Sequence, residues 1–152
     1  MGVIDTRNTI GQIFTMVITG SGSNPTKGTT TTDLAIWKKN ADYMEITYSY
    51  VQTAAGSAGS GYYKFAIPSG YTIDTTKALT TNNNSSDVGT ATAYNGSLVS
   101  TGIVSIIDST HFVLTIGEDT LATNQVGSAF YQLSTTALNY GFTARVPIVG
   151  WS

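Results

Sequence analysis

The residue types that do most protein chemistry are scarce in this sequence. There is one histidine, His111, and no cysteine, which excludes thiolate nucleophiles, disulfides and a zinc ligand set. His111 follows a DST turn at 108–110. A lone histidine there reads as a local hydrogen-bonding partner, because general acid and base work needs paired, tunable groups. The nine carboxylates are spread singly apart from Glu118-Asp119. As neighbours on an extended strand those two face opposite ways and cannot flank one glycosidic bond. No GxSxG elbow, P-loop or HExxH run is present. The expectation is a protein that is not an enzyme, with no catalytic residue and no cofactor.

Binding is the richer possibility. TNNNSSD (81–87) and GEDT (117–120) offer oxygen atoms that calcium accepts. Neither has the spacing of a calcium loop, and turn residues capping their own backbone account for both, so no metal site is expected. The nine tyrosines and two tryptophans suit sugar stacking and core packing alike. Tyr48 and Tyr50, with Tyr63, fall on apolar-alternating faces and belong to the core or to a subunit interface. Tyr62, Tyr71, Tyr94 and Tyr131 lie near loops and are the candidate contacts to a glycan or partner.

The elements that must position these groups are strands. Met44, Ile46, Tyr48 and Tyr50 alternate with Glu45, Thr47 and Ser49, the period of a half-buried strand. The same period appears at Phe14, Met16 and Ile18, at Tyr63, Phe65 and Ile67, at Phe112, Leu114 and Ile116, and at Phe142, Ala144, Val146 and Ile148. Asn95-Gly96 is the strongest hairpin signal. LVSTGIVSII (98–107) is apolar on both faces, with Val99, Ile103 and Ile107 on one and Leu98, Val104 and Ile106 on the other, so it is expected to be covered on both sides. No segment has a helical period; DTTKALTTN allows one turn at most. Eight or nine antiparallel strands joined by Gly, Asn and Ser turns predict an all-β jelly-roll sandwich or barrel. The chain reads as a lead or docking arm at 1–11 and one domain at 12–152.

Charged residues are 11% of the chain, against about 25% in an average domain, so the surface is built from Thr, Ser, Asn and Gly. A net charge of -2 supplies no basic field for nucleic acid. No apolar run reaches the ~18 residues of a membrane span, and no membrane insertion is expected.

Two stretches carry a family likeness. LAIWKKNADYMEITYSYVQTAAGSAGSGYYKFAIPSGYTIDTTK and the ending GFTARVPIVGWS resemble the C-terminal domains of tailed-bacteriophage virion proteins, found in fibres, spikes and capsid-surface knobs. The resemblance implies a C1q/TNF-like jelly roll that forms a homotrimer, with the last strand central and next to the three-fold axis. It implies that Phe142, Ala144, Val146 and Ile148 turn to the core, that Thr143, Arg145 and Pro147 face the opposite side, and that Arg145 nears an interface and needs a partner such as Glu45. Trp151 would pack at the base of the trimer. The implied role is a structural protein on the virion surface, made in the bacterial host cytoplasm. It would decorate or cement the capsid or end a fibre, and its partners would be its own copies and the major capsid protein or a fibre stalk. The rival expectation is a module that binds a host surface glycan through loop aromatics.

Overall fold

The computed structural model describes residues 10–78, 86–118, 122–127 and 131–151. The described residues form ten strands: β1 Gln12–Phe14, β2 Ile18–Gly20, β3 Thr29–Asn40, β4 Tyr43–Ala54, β5 Tyr63–Ala66, β6 Ser86–Tyr94, β7 Val99–Asp108, β8 His111–Glu118, β9 Ala122–Gln125 and β10 Leu138–Pro147. Every pairing is antiparallel, and nine strands follow one hydrogen-bonded path, β1-β3-β4-β10-β6-β7-β8-β5-β2, with β9 on the flank of β8. No helix occurs among the described residues. Among them, too, no helix is long and apolar enough to cross a membrane.

The sheet curls back on itself. Phe65 on β5 lies 5.7 Å from Phe142 on β10 although β6, β7 and β8 separate the two strands along the path. Inward residues from the whole circuit meet as one core: Met44, Ile46, Tyr48 and Tyr50 of β4, then Tyr140, Phe142, Ala144 and Val146 of β10. Alternation explains why. Strand side chains change face at every residue, so a period-two apolar pattern delivers one face to the interior and leaves the other to water. The T-shaped Phe65–Tyr140 and Phe65–Phe142 pairs are the geometry that aromatic quadrupoles prefer.

The closing strand is interior: β10 pairs with β4 on one side and β6 on the other. Asn95-Gly96 makes its hairpin, with Gly96 at φ 93° and the Asn95 side chain accepting from the Ser97 and Leu98 amides. Three features differ from the expectation. The first predicted strand is two. Its face is right, since Met16 and Ile18 are buried, but β1 pairs with β3 while β2 pairs with β5, at the other end of the path. The chain therefore crosses the seam of the curled sheet within residues 15–17, and one segment ties both edges together. Secondly, β7 is covered on one side only: Val104 is buried, yet Val99, Ile103 and Ile107 are exposed. Thirdly, Pro147, expected on the outward side with Thr143 and Arg145, is buried at the strand's end.

Candidate functional site

The two ends of the barrel use aromatic residues differently. At one end, under the loop segments at 20–28, 54–62, 126–127 and 131–137, tyrosine hydroxyls hold backbone. Tyr63 donates to the Ala58 carbonyl at 2.7 Å and accepts from the Leu133 amide at 3.0 Å. Tyr140 donates to the Tyr131 carbonyl, and Tyr131 to Ser100 Oγ at 2.7 Å. Tyr50 donates to the buried Gln52 side chain, whose Nε2 donates to the Leu133 and Thr135 carbonyls at 2.9 and 2.7 Å. Gln52 Oε1 also accepts from the Gly28 amide at 2.9 Å. Tyr48 donates to Asp33, which pairs with Lys27 at 2.7 Å. Gly127, at φ 98°, lies so close that a Cβ would meet the Tyr63 ring at 2.4 Å. No buried side-chain N or O atom lacks a hydrogen bond among the described residues.

Burial raises the Tyr48 and Tyr140 hydroxyls well above the usual phenol range, the nearby Asp33 charge adding to it at Tyr48. It pushes Tyr50 up to about 12. These phenols stay neutral donors at any physiological pH, which suits loop anchors and not proton transfer.

At the other end, where the turns at 40–43 and 108–111 meet the 67–77 loop and the chain's last residues, the rings are half exposed. Trp151 is not a loose tail. Its ring lies 6.1 Å from Trp37 and 5.4 Å from Tyr71, which is itself 5.0 Å from Trp37, and Lys39 Nζ sits 4.9 Å over its face. Beside this cluster a cavity of about 720 Å³ opens along the seam, between β1 and the 66–71 segment. Its walls include Gln12, Phe14, Trp37, Ser69, Tyr71 and Thr110. His111 is outside its lining; Nδ1 is 2.9 Å from Asp108 and 2.9 Å from Thr110 Oγ1. Burial raises the Asp108 carboxyl, but the bonds from His111 and Thr110 outweigh it and hold the group below its ordinary value.

The outer face of β4, β10 and β6 is a third surface, lined by Thr47, Thr90, Thr92, Gly141 and Thr143. At its edge Arg145 faces Glu45 across the ladder, but its guanidinium stacks 4.1 Å over the Tyr43 ring. Glu45 instead accepts from Asn40 at 2.7 Å and Lys38 at 3.0 Å, bonds that hold its carboxyl below the usual value.

The predicted residues thus fall in different places. Tyr48, Tyr50, Phe142 and Val146 are core. Of the four loop tyrosines, Tyr131 is buried with its hydroxyl committed to Ser100. Tyr62 lies on the 54–62 loop at the tyrosine end, and Tyr94 borders a shallow dent with Val99 and Asn139. Tyr71 alone among the four joins the large cavity. Sequence reasoning missed Phe14, Gln12 and Trp37 as its partners, because the seam that brings them together is a tertiary feature. The calcium-type cluster at 81–87 falls largely outside the described residues, as do the 1–9 part of the lead and Asp119-Thr120 of GEDT. Among described residues no group of three or more His, Asp or Glu could hold a metal ion. In comparison with known proteins, no family model matches the chain, and neither a curated protein nor a solved structure shows significant similarity to it.

Proposed function

We propose that the chain is a non-enzymatic structural protein of a tailed-phage virion: a homotrimeric jelly-roll knob of the C1q/TNF type that decorates or cements the capsid surface or forms a fibre tip. The observation that carries the reading is the outer face of β7. Val99 is 66% exposed and Ile103 and Ile107 are each 38% exposed, on a strand whose sequence is apolar on both sides. Fully burying such a side chain stabilises by about 1.5–3 kcal/mol, so a row left in water is a surface awaiting a partner. Leu34 and Ile13 repeat the pattern at β3 and β1.

Two further observations favour a second copy as that partner. Away from its Lys38, Glu45 and Arg145 edge, the intervening outer face carries threonines and Gly141, which lets another sheet approach closely. The exterior is otherwise poor in charge, as the composition requires, so little has to be desolvated. The family likeness at 34–77 and 141–152 supplies the three-fold arrangement and the virion setting, with the major capsid protein or a fibre stalk as the other partner.

Light scattering in solution tests the reading. The expected mass is three protomers for the wild type, and the double variant Val99→Lys with Ile103→Lys should run as a monomer with an unchanged far-ultraviolet spectrum. A wild-type monomer would remove the proposal.

A further inference from the structure

The seam cavity has a cause in the topology. β1 pairs only with β3 and β2 only with β5, and the chain passes between them through Thr15, the buried Met16 and Val17. The Ala66 amide still reaches the Val17 carbonyl at 3.0 Å. Beyond that bond no ladder joins β1 to the 67–71 segment among the described residues, and the sheet parts. The gap measures about 720 Å³, within the range of small-molecule sites.

Its lining is specific in kind. Phe14 and Tyr71 offer two partly exposed rings, and the nearly buried Trp37 also lines the wall. Gln12 and Ser69 bring an amide and a hydroxyl, the Thr110 hydroxyl is already bonded to Asp108 and His111, and none of the lining residues is ionic. Two charged groups at this end are engaged elsewhere, Lys39 over Trp151 and Asp108 with His111. An anion or cation would enter without a counter-charge, which is costly. A wholly apolar ligand would strand the Gln12 amide and the Ser69 hydroxyl. A ring with an apolar face and uncharged hydroxyls satisfies both sets of groups.

We propose that this cavity binds a neutral saccharide, with Tyr71 and Phe14 as stacking platforms and Gln12 and Ser69 as readers of its hydroxyls. The site lies within one subunit and does not depend on the trimeric reading. Subunit mass and sugar binding are separate measurements, so either can fail alone.

The chain carries its own reporter. Both of its tryptophans, Trp37 and Trp151, belong to the cluster beside the cavity. Titration of the full chain with the methyl glycosides and β-linked disaccharides of glucose, galactose, mannose and N-acetylglucosamine should give a saturable change in tryptophan emission for at least one of them. Gln12→Ala, at an exposed position, should weaken that binding three- to tenfold with no change in melting temperature, and Tyr71→Ala should weaken it tenfold or more. Tyr62→Ala, at the opposite end, should leave it as it was. No saturable response to any of these sugars would overturn the proposal. So would a response that survives both Gln12→Ala and Tyr71→Ala, or one that Tyr62→Ala abolishes.

Discussion

The two ends of the barrel use the same kind of residue and come to opposite outcomes. At the tyrosine end the rings are buried and each hydroxyl described holds a backbone carbonyl, a buried side chain or a carboxylate. At the tryptophan end Tyr71 and Trp151 keep part of their faces in solvent, and Tyr71 lines a cavity. Aromatic content alone does not mark a binding surface. What separates the two ends is whether the polar tip of each ring has already been used, and whether the backbone around it closes. The loops at the tyrosine end are stapled from within, while the seam at the tryptophan end lacks a strand-to-strand bond where β1 parts from its neighbour.

The contrast can be tested hardest with alkali. The phenols of Tyr48, Tyr50 and Tyr140 are held above their ordinary value by burial. Their contribution is therefore whole below pH about 10, where unfolded tyrosine ionises, and is lost as pH rises beyond it. Each such group removes about 1.4 kcal/mol of stability per pH unit above that point. Tyrosinate absorbance should show an exposed class titrating near pH 10 and a second class appearing only with loss of the near-ultraviolet dichroism. A single smooth titration of a folded protein would contradict the stapled picture. Next in size, Gln52→Ala strands the Gly28 amide, the Tyr50 hydroxyl and two carbonyls, and should cost about 3 kcal/mol in urea unfolding. Trp151→Ala removes a half-buried ring from the other end and should cost less, about 1–2 kcal/mol. Equal losses at the two sites would erase the distinction drawn between them. The smallest effect lies outside both clusters. Ala41 turns the β3–β4 hairpin at φ 53°, where a Cβ is strained, and Ala41→Gly should raise stability by up to about 1 kcal/mol in a thermal melt.

Much of this was legible before any coordinates. The inward set on β4, β8 and β10 follows from alternation, and Gly96 sits where Asn-Gly promised a turn. The inward face of the last strand was legible from Phe142 to Ile148, whereas its central place was implied only by the family likeness. Other features were not. β3 hides behind TTTTD, whose polar run gives no periodic signal, and its rank as a 12-residue strand comes from the long ladder with β4. The split of the first strand is invisible locally, since Phe14, Met16 and Ile18 keep their period across the break. Partner identities were hidden for the same reason: Gln52 and Leu133 stand 81 positions apart, and only the fold makes them neighbours. The cavity drew one residue, Tyr71, from the four proposed, because exposure near a loop is readable and the gap beside a departing strand is not.

The seam crossing also fixes where the molecule can be held. The described chain enters β1 at Gln12, opposite Trp37 in the ladder, and ends at Trp151, whose ring lies 6.1 Å from that same tryptophan. Entry and exit share one pole. Chain continuing from residue 10 or from Trp151 therefore leaves the described structure beside the same mouth, and the pole bearing the stapled loops lies at the other end.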